Sequence, residues 1–208
     1  MMRSVLSRGT PSRFTFLLLS SAVVATMALV PAAAPAGGGG VTCKGRAATQ
    51  DGTGGEDTIT GTDGRDVIVG RGGDDEIFAL DGNDLVCGNG GRDRLLSQNG
   101  DDRVYGGRAR DRMLGDGGGD LLVGGNEKDI LFGRDGADVL LGKGQRDTER
   151  GGGGDDFIAG DEGEDTLQGQ AGADFLRGDS GDDFLDGGTD VDTCRDGTGD
   201  DSVQRCEL

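Results

Sequence analysis

At 208 residues the chain has room for one domain and a leader, but 45 Gly, one Tyr, no Trp and no His leave too little bulky material for a thick core. The absence of His removes Ser-His-Asp and Cys-His catalysis. With 39 acidic against 21 basic residues the net charge is −18, a polyanion that repels nucleic acid and anionic membranes and attracts multivalent cations.

Residues 1–36 have the three-part layout of a secretory signal peptide. Arg3, Arg8 and Arg13 precede the apolar run Phe14–Val30, and Ala34 and Ala36 fit an A-x-A cleavage site. A mature start near Gly37 is expected, giving a secreted, extracellular protein with no membrane contact once the signal is removed. The alternative, an uncleaved anchor, has only seventeen apolar residues, short for a span. Residues 37–51 read as a Gly-rich linker and N-terminal cap.

From Gly52 to Gln204 the chain divides into seventeen nonapeptides without insertion or deletion. The first position is Gly in fourteen units, the fourth is Gly in thirteen and the sixth is Asp in all. The eighth is Ile, Leu, Val or Met except at Glu149 and Cys194. Glycines at positions one and four suit backbone with positive φ, so positions one to six are expected to turn and seven to nine to form a short strand. Position eight then points inward while seven and nine point out.

One inward residue per unit cannot bury itself, but two facing units can. The fold class expected is all-β: a parallel two-sheet solenoid with 18 residues per coil and about eight and a half coils. Stacking sorts the position-six aspartates into two columns. Asp57, Asp75, Asp93, Asp111, Asp129, Asp147, Asp165, Asp183 and Asp201 line one edge. Asp66, Asp84, Asp102, Asp120, Asp138, Asp156, Asp174 and Asp192 line the other. Like charges about 5 Å apart repel by roughly 1 kcal/mol per pair even in water, so the bare chain should be loose. A hard dication between successive carboxylates reverses that sign, and an all-oxygen site of loose geometry suits Ca²⁺ better than Mg²⁺.

Units such as Gly70-Arg-Gly-Gly-Asp-Asp-Glu-Ile-Phe78 and Gly151-Gly-Gly-Gly-Asp-Asp-Phe-Ile-Ala159 resemble the GGxGxDxUx nonapeptide of the RTX (hemolysin-type) family. The resemblance implies a parallel β-roll with Ca²⁺ in its turns. It also implies that position-six aspartates two units apart share an ion, Asp66 with Asp84 and Asp75 with Asp93. An N-terminal signal and flanking cysteines make the chain look more like a small exported calcium-binding repeat protein than the secretion module of a large toxin or protease.

The expected metal ligands are Asp57, Asp66, Asp75, Asp84, Asp93, Asp102, Asp120, Asp138, Asp156, Asp165, Asp174 and Asp183. Weaker sites are expected at Asp111, Asp129, Asp147, Asp192 and Asp201. Position four is Ala109, Glu127 and Gln145 on successive layers of one edge and Asp190 near the end, so the edge near 108–150 should bind Ca²⁺ less well. Cys43, Cys87, Cys194 and Cys206 are disulfide candidates, with Cys43–Cys87 and Cys194–Cys206 the favoured pairing as caps on a solenoid whose end units lack neighbours. Residues 205–208 form the C-terminal cap.

Apolar outward residues near Leu121–Leu141 suggest a contact surface for a partner protein or for self-association, and Phe157 and Phe175 should stack. The function expected is calcium binding by an exported module that folds on Ca²⁺ and serves a structural or interaction role, without catalysis. A Ca²⁺-dependent adhesin is the alternative.

Overall fold

A computed structural model describes residues 41–207. The expected signal peptide and Gly37–Gly40 lie outside the described residues. The chain is a parallel two-sheet β-solenoid of about nine turns. Each sheet has nine strands in strict alternation along the sequence, one running from Thr58–Thr60 to Ser202–Gln204 and the other from Gln50–Asp51 to Thr193–Thr198. Partners in a sheet are eighteen residues apart, as in Leu122↔Leu140 and Met113↔Leu131. Among the described residues no helix is long and apolar enough to cross a membrane.

Position eight points inward, as expected. Ile68, Ile77, Val86, Leu95, Val104, Met113 and their successors to Leu185 form one buried ladder, with Cys194 in the same row near the end. A single file of aliphatic side chains is enough because each coil is only two strands wide. Glu149 also keeps the inward register, between Leu131 and Leu167, and is fully buried.

The strands are longer than the expected three residues. Most run six, as in Val67–Gly72 and Phe175–Ser180, so positions one to three of the next unit continue the strand and the turn shrinks to positions four to six. Position one therefore faces inward too, two residues after position eight. Its glycine is needed for space rather than for positive φ. A Cβ on Gly124 would lie 2.5 Å from Asp129 Oδ2 and 2.8 Å from the Gly142 carbonyl oxygen.

The left-handed backbone sits at position four, as expected, and at position two rather than position one. From Arg71 (φ 81°) to Gly197 (φ 109°) position two of every unit is left-handed, mostly in residues other than glycine. At position four Ala109 (φ 72°), Gln145 (φ 69°) and Asp190 (φ 78°) keep the turn despite their side chains, whereas Glu127 leaves that region.

Both expected disulfides form, Cys43–Cys87 and Cys194–Cys206. Their placement differs. Cys194 stands in the core row and Cys206 packs against it, so the second bridge closes the open end of the ladder. Cys87 is an outward position-nine residue. It ties down an antiparallel hairpin, Thr42–Cys43 with Arg46–Ala47, that lies on the outer face of one sheet over Val67, Val69 and Leu85. The first bridge is a strap across a face rather than a cap on the end.

The outward apolar residues also separate. Leu121, Val123, Val139 and Leu141 share the outer face of the hairpin-bearing sheet, whereas Ile130 and Phe132 belong to the opposite sheet. They cannot form one patch, because consecutive units alternate between sheets. Phe157 and Phe175 do stack, with centroids 5.4 Å apart and planes within 4°.

Candidate metal centre

Each position-six aspartate sits where the turn re-enters a strand, and stacking brings its carboxylate against the coil before it. The Asp66 N–H donates to Asp84 Oδ1 at 2.8 Å, and the Asp84 N–H to Asp102 Oδ1 at 2.7 Å. The pattern runs to Asp174 and Asp192 on that edge, and from Asp57 and Asp75 to Asp183 and Asp201 on the other. One carboxylate oxygen is thus committed to the fold, since ionised acceptors make strong bonds to main-chain N–H groups.

The other oxygen is not. In every position-six aspartate from Asp75 to Asp192, Oδ2 is buried with no hydrogen-bond partner among the described residues. A buried acceptor left unpaired costs about 1–3 kcal/mol, more when charged. A row of them needs an explanation. The space beside Oδ2 is the one that the position-one glycine leaves open. In the layer of Gly124, Asp129 Oδ2 and the Gly142 carbonyl both face it. Two acceptors facing one gap repel each other unless a cation or a proton lies between them.

Burial sets the electrostatics. It pushes Asp93, Asp120, Asp129 and Asp156 up to about 7, and Asp111 and Asp147 up to about 8. The backbone N–H bond to each carboxylate opposes this, and neighbouring acids add to it. The structure therefore resists carrying both columns fully ionised without a compensating charge.

Asp111, Asp129, Asp147 and Asp192, expected to be weaker, have the same buried, unpartnered Oδ2 as the others. Asp201, in the last unit, accepts the Asp183 N–H and, among the described residues, nothing else. The first two units differ in a way the repeat did not suggest. Asp57 Oδ2 accepts from the N–H and hydroxyl of Thr53, at 2.6 and 2.9 Å. Asp66 Oδ2 accepts likewise from Thr62, at 2.7 and 2.9 Å, while its Oδ1 takes the Thr49 hydroxyl at 3.0 Å. These two carboxylates are already satisfied by protein donors. Thr at position two was the available signal: it occurs there only in these units, and a β-branched residue disfavours the left-handed backbone used by all later ones.

Among the described residues no three acidic or Cys side chains converge on one point. The donor set is one free carboxylate oxygen per layer with main-chain carbonyls, all hard oxygens. That chemistry fits Ca²⁺, which takes six to eight oxygens in flexible geometry, better than Mg²⁺. The residues that would hold it are Asp75 to Asp192 with the carbonyls of position one. When bound, the ion supplies positive charge between carboxylates that otherwise repel.

No curated protein matches the chain significantly. A family model does: the RTX calcium-binding nonapeptide repeat (4 copies), over residues 51–86, 88–122, 114–149, 150–185 and 160–194. These matches span the solenoid from its first coil to the strand holding Cys194. The chain belongs to the RTX calcium-binding nonapeptide repeat family.

Proposed function

We propose that this chain is an exported, non-catalytic calcium-binding module that folds on Ca²⁺ and then serves as a structural or interaction element. The observation that carries this is the unbroken row of buried, unpartnered Oδ2 atoms on both edges. A fold whose period repeatedly creates this arrangement suits a cation, and family membership supports Ca²⁺ as that ion. Export rests on the N-terminal signal layout and on two disulfides, which persist where the medium is oxidising and Ca²⁺ is plentiful.

Circular dichroism of the chain from Gly37, at pH 8, tests the reading. Adding Ca²⁺ to metal-free protein should produce a β-rich spectrum, and equimolar Mg²⁺ should not. A β-rich spectrum indifferent to chelator would overturn it.

The adhesin reading is favoured by one observation. The hairpin-bearing sheet is largely apolar along its outer face, interrupted by Arg103 and Arg177, and the hairpin covers only the early rungs. Leu121, Val123, Val139, Leu141 and the Phe157–Phe175 stack continue it, half-buried, with Arg195 5.2 Å from the Phe175 ring centre. Sedimentation at saturating Ca²⁺ checks it. Replacing Leu141 and Phe157 by Ser should abolish any self-association, whereas a monomer at high concentration restricts this face to a different protein as partner.

A further inference from the structure

The aliphatic ladder carries one acid. Glu149 stands at position eight of its unit, in the strand Thr148–Gly153, flanked by Leu131 and Leu167. It is fully buried, and both of its carboxylate oxygens lack hydrogen-bond partners. Every other ladder residue from Ile68 to Leu185 is an aliphatic side chain or Met.

Its direction is informative. A Cβ on Gly142 would collide with Glu149 Oε1 and lie 2.5 Å from Asp147 Oδ2. The Glu149 carboxylate therefore reaches out of the core into the gap beside Gly142, where Asp147 Oδ2 already sits. Asp147 is itself fully buried, and that oxygen has no partner either. Three unpartnered oxygens from two carboxylates meet in this layer, and among the described residues no cationic side chain bonds to any of them.

We propose that Glu149 and Asp147 together form a distinct divalent-cation site on the inner side of the turn, with Glu149 a direct ligand contributed from the core. The site takes a hard, oxygen-seeking dication of the Ca²⁺ class, because the donors are carboxylate oxygens and main-chain carbonyls. Two fully buried carboxylates in one layer, against one in each neighbouring layer of the column, give it more ligand charge out of reach of solvent. More ligand charge tightens Ca²⁺ binding. This reverses, at one layer, the expectation that the edge with Ala109, Glu127 and Gln145 binds weakly. The third of those irregular units is the one that carries Glu149.

The inference rests on the calcium-binding reading above, and the experiment separates the two. Bound Ca²⁺ per chain is counted by equilibrium dialysis for the natural protein, Glu149→Leu and Glu149→Gln at pH 8. Glu149→Leu restores the ladder, so it keeps a core into which the chain can fold. It should lose the extra tightness of this layer, leaving the ion at Asp147 held no more strongly than those of the neighbouring layers. Glu149→Gln preserves volume and should weaken one ion by at least the roughly 10- to 100-fold that losing an outer-shell partner costs. If the natural protein binds several ions and both variants bind the same number with the same affinity, the two carboxyls share a proton instead, and the inference falls alone. If the natural protein binds none, the parent reading falls with it.

Discussion

The position-six aspartate has two oxygens with two tasks. Asp102 shows the division: Oδ1 holds the Asp84 N–H at 2.7 Å, while Oδ2 is buried without a partner. Asp66 looks identical in sequence, yet Thr62 occupies its Oδ2. Conversion to Asn should separate the roles. Asp102→Asn keeps the Oδ1 acceptor and removes a buried charge and an ion ligand. It should raise the stability of the metal-free fold, lower that of the calcium-loaded fold, and reduce the ions bound. Asp66→Asn places an amide donor against the Thr62 N–H. It should cost about 1–3 kcal/mol with or without Ca²⁺ and leave the ion count unchanged. Urea unfolding with and without chelator reads both variants, and identical responses would refute the division.

At the scale of strands and turns, legibility followed side-chain signal. The eighteen-residue coil and the two Asp columns could be read because Asp and the aliphatic ladder mark every unit. The length of the strands could not. Positions one to three are rich in Gly, which carries no strand preference, yet their main-chain groups pair from coil to coil as far as Arg71↔Asn89 and Gly72↔Gly90. The glycine at position one was read as a conformational device and is a spatial one, because an inward Cβ would fill the space that Asp Oδ2 faces. The conformational demand falls on position four, where glycine announces it, and on position two, where Arg, Asn, Gln, Lys and Asp conceal it. Cysteine pairing was readable from position along the chain. That Cys87 faces outward, and so straps a hairpin to a face instead of closing an end, follows from its place at position nine, one residue past the ladder.

For the whole molecule the buried columns set a dependence on pH whose sign differs from that of most folded proteins. An aspartate in an unfolded chain titrates near 3.9. In the metal-free fold, burial raises Asp84, Asp165 and Asp174 to about 6, Asp120 and Asp156 to about 7, and Asp111 and Asp147 to about 8. Between about pH 4 and pH 8 the folded state therefore holds more protons than the unfolded one. Stability then falls as pH rises, because its slope follows protons bound unfolded minus protons bound folded. Acid should fold the metal-free chain, with the contribution of these groups complete near pH 4 and lost by about pH 8. Calcium reverses the slope: ions and protons compete for the same oxygens, so Ca²⁺ affinity should weaken as pH drops from 8 to 5. The two trends can be followed by circular dichroism across that range, in metal-stripped buffer and at fixed Ca²⁺. A metal-free chain that gains β-structure on going from pH 5 to pH 8 would show that the columns are not strained by their own charge. The reason for an ion at each layer would then be lost.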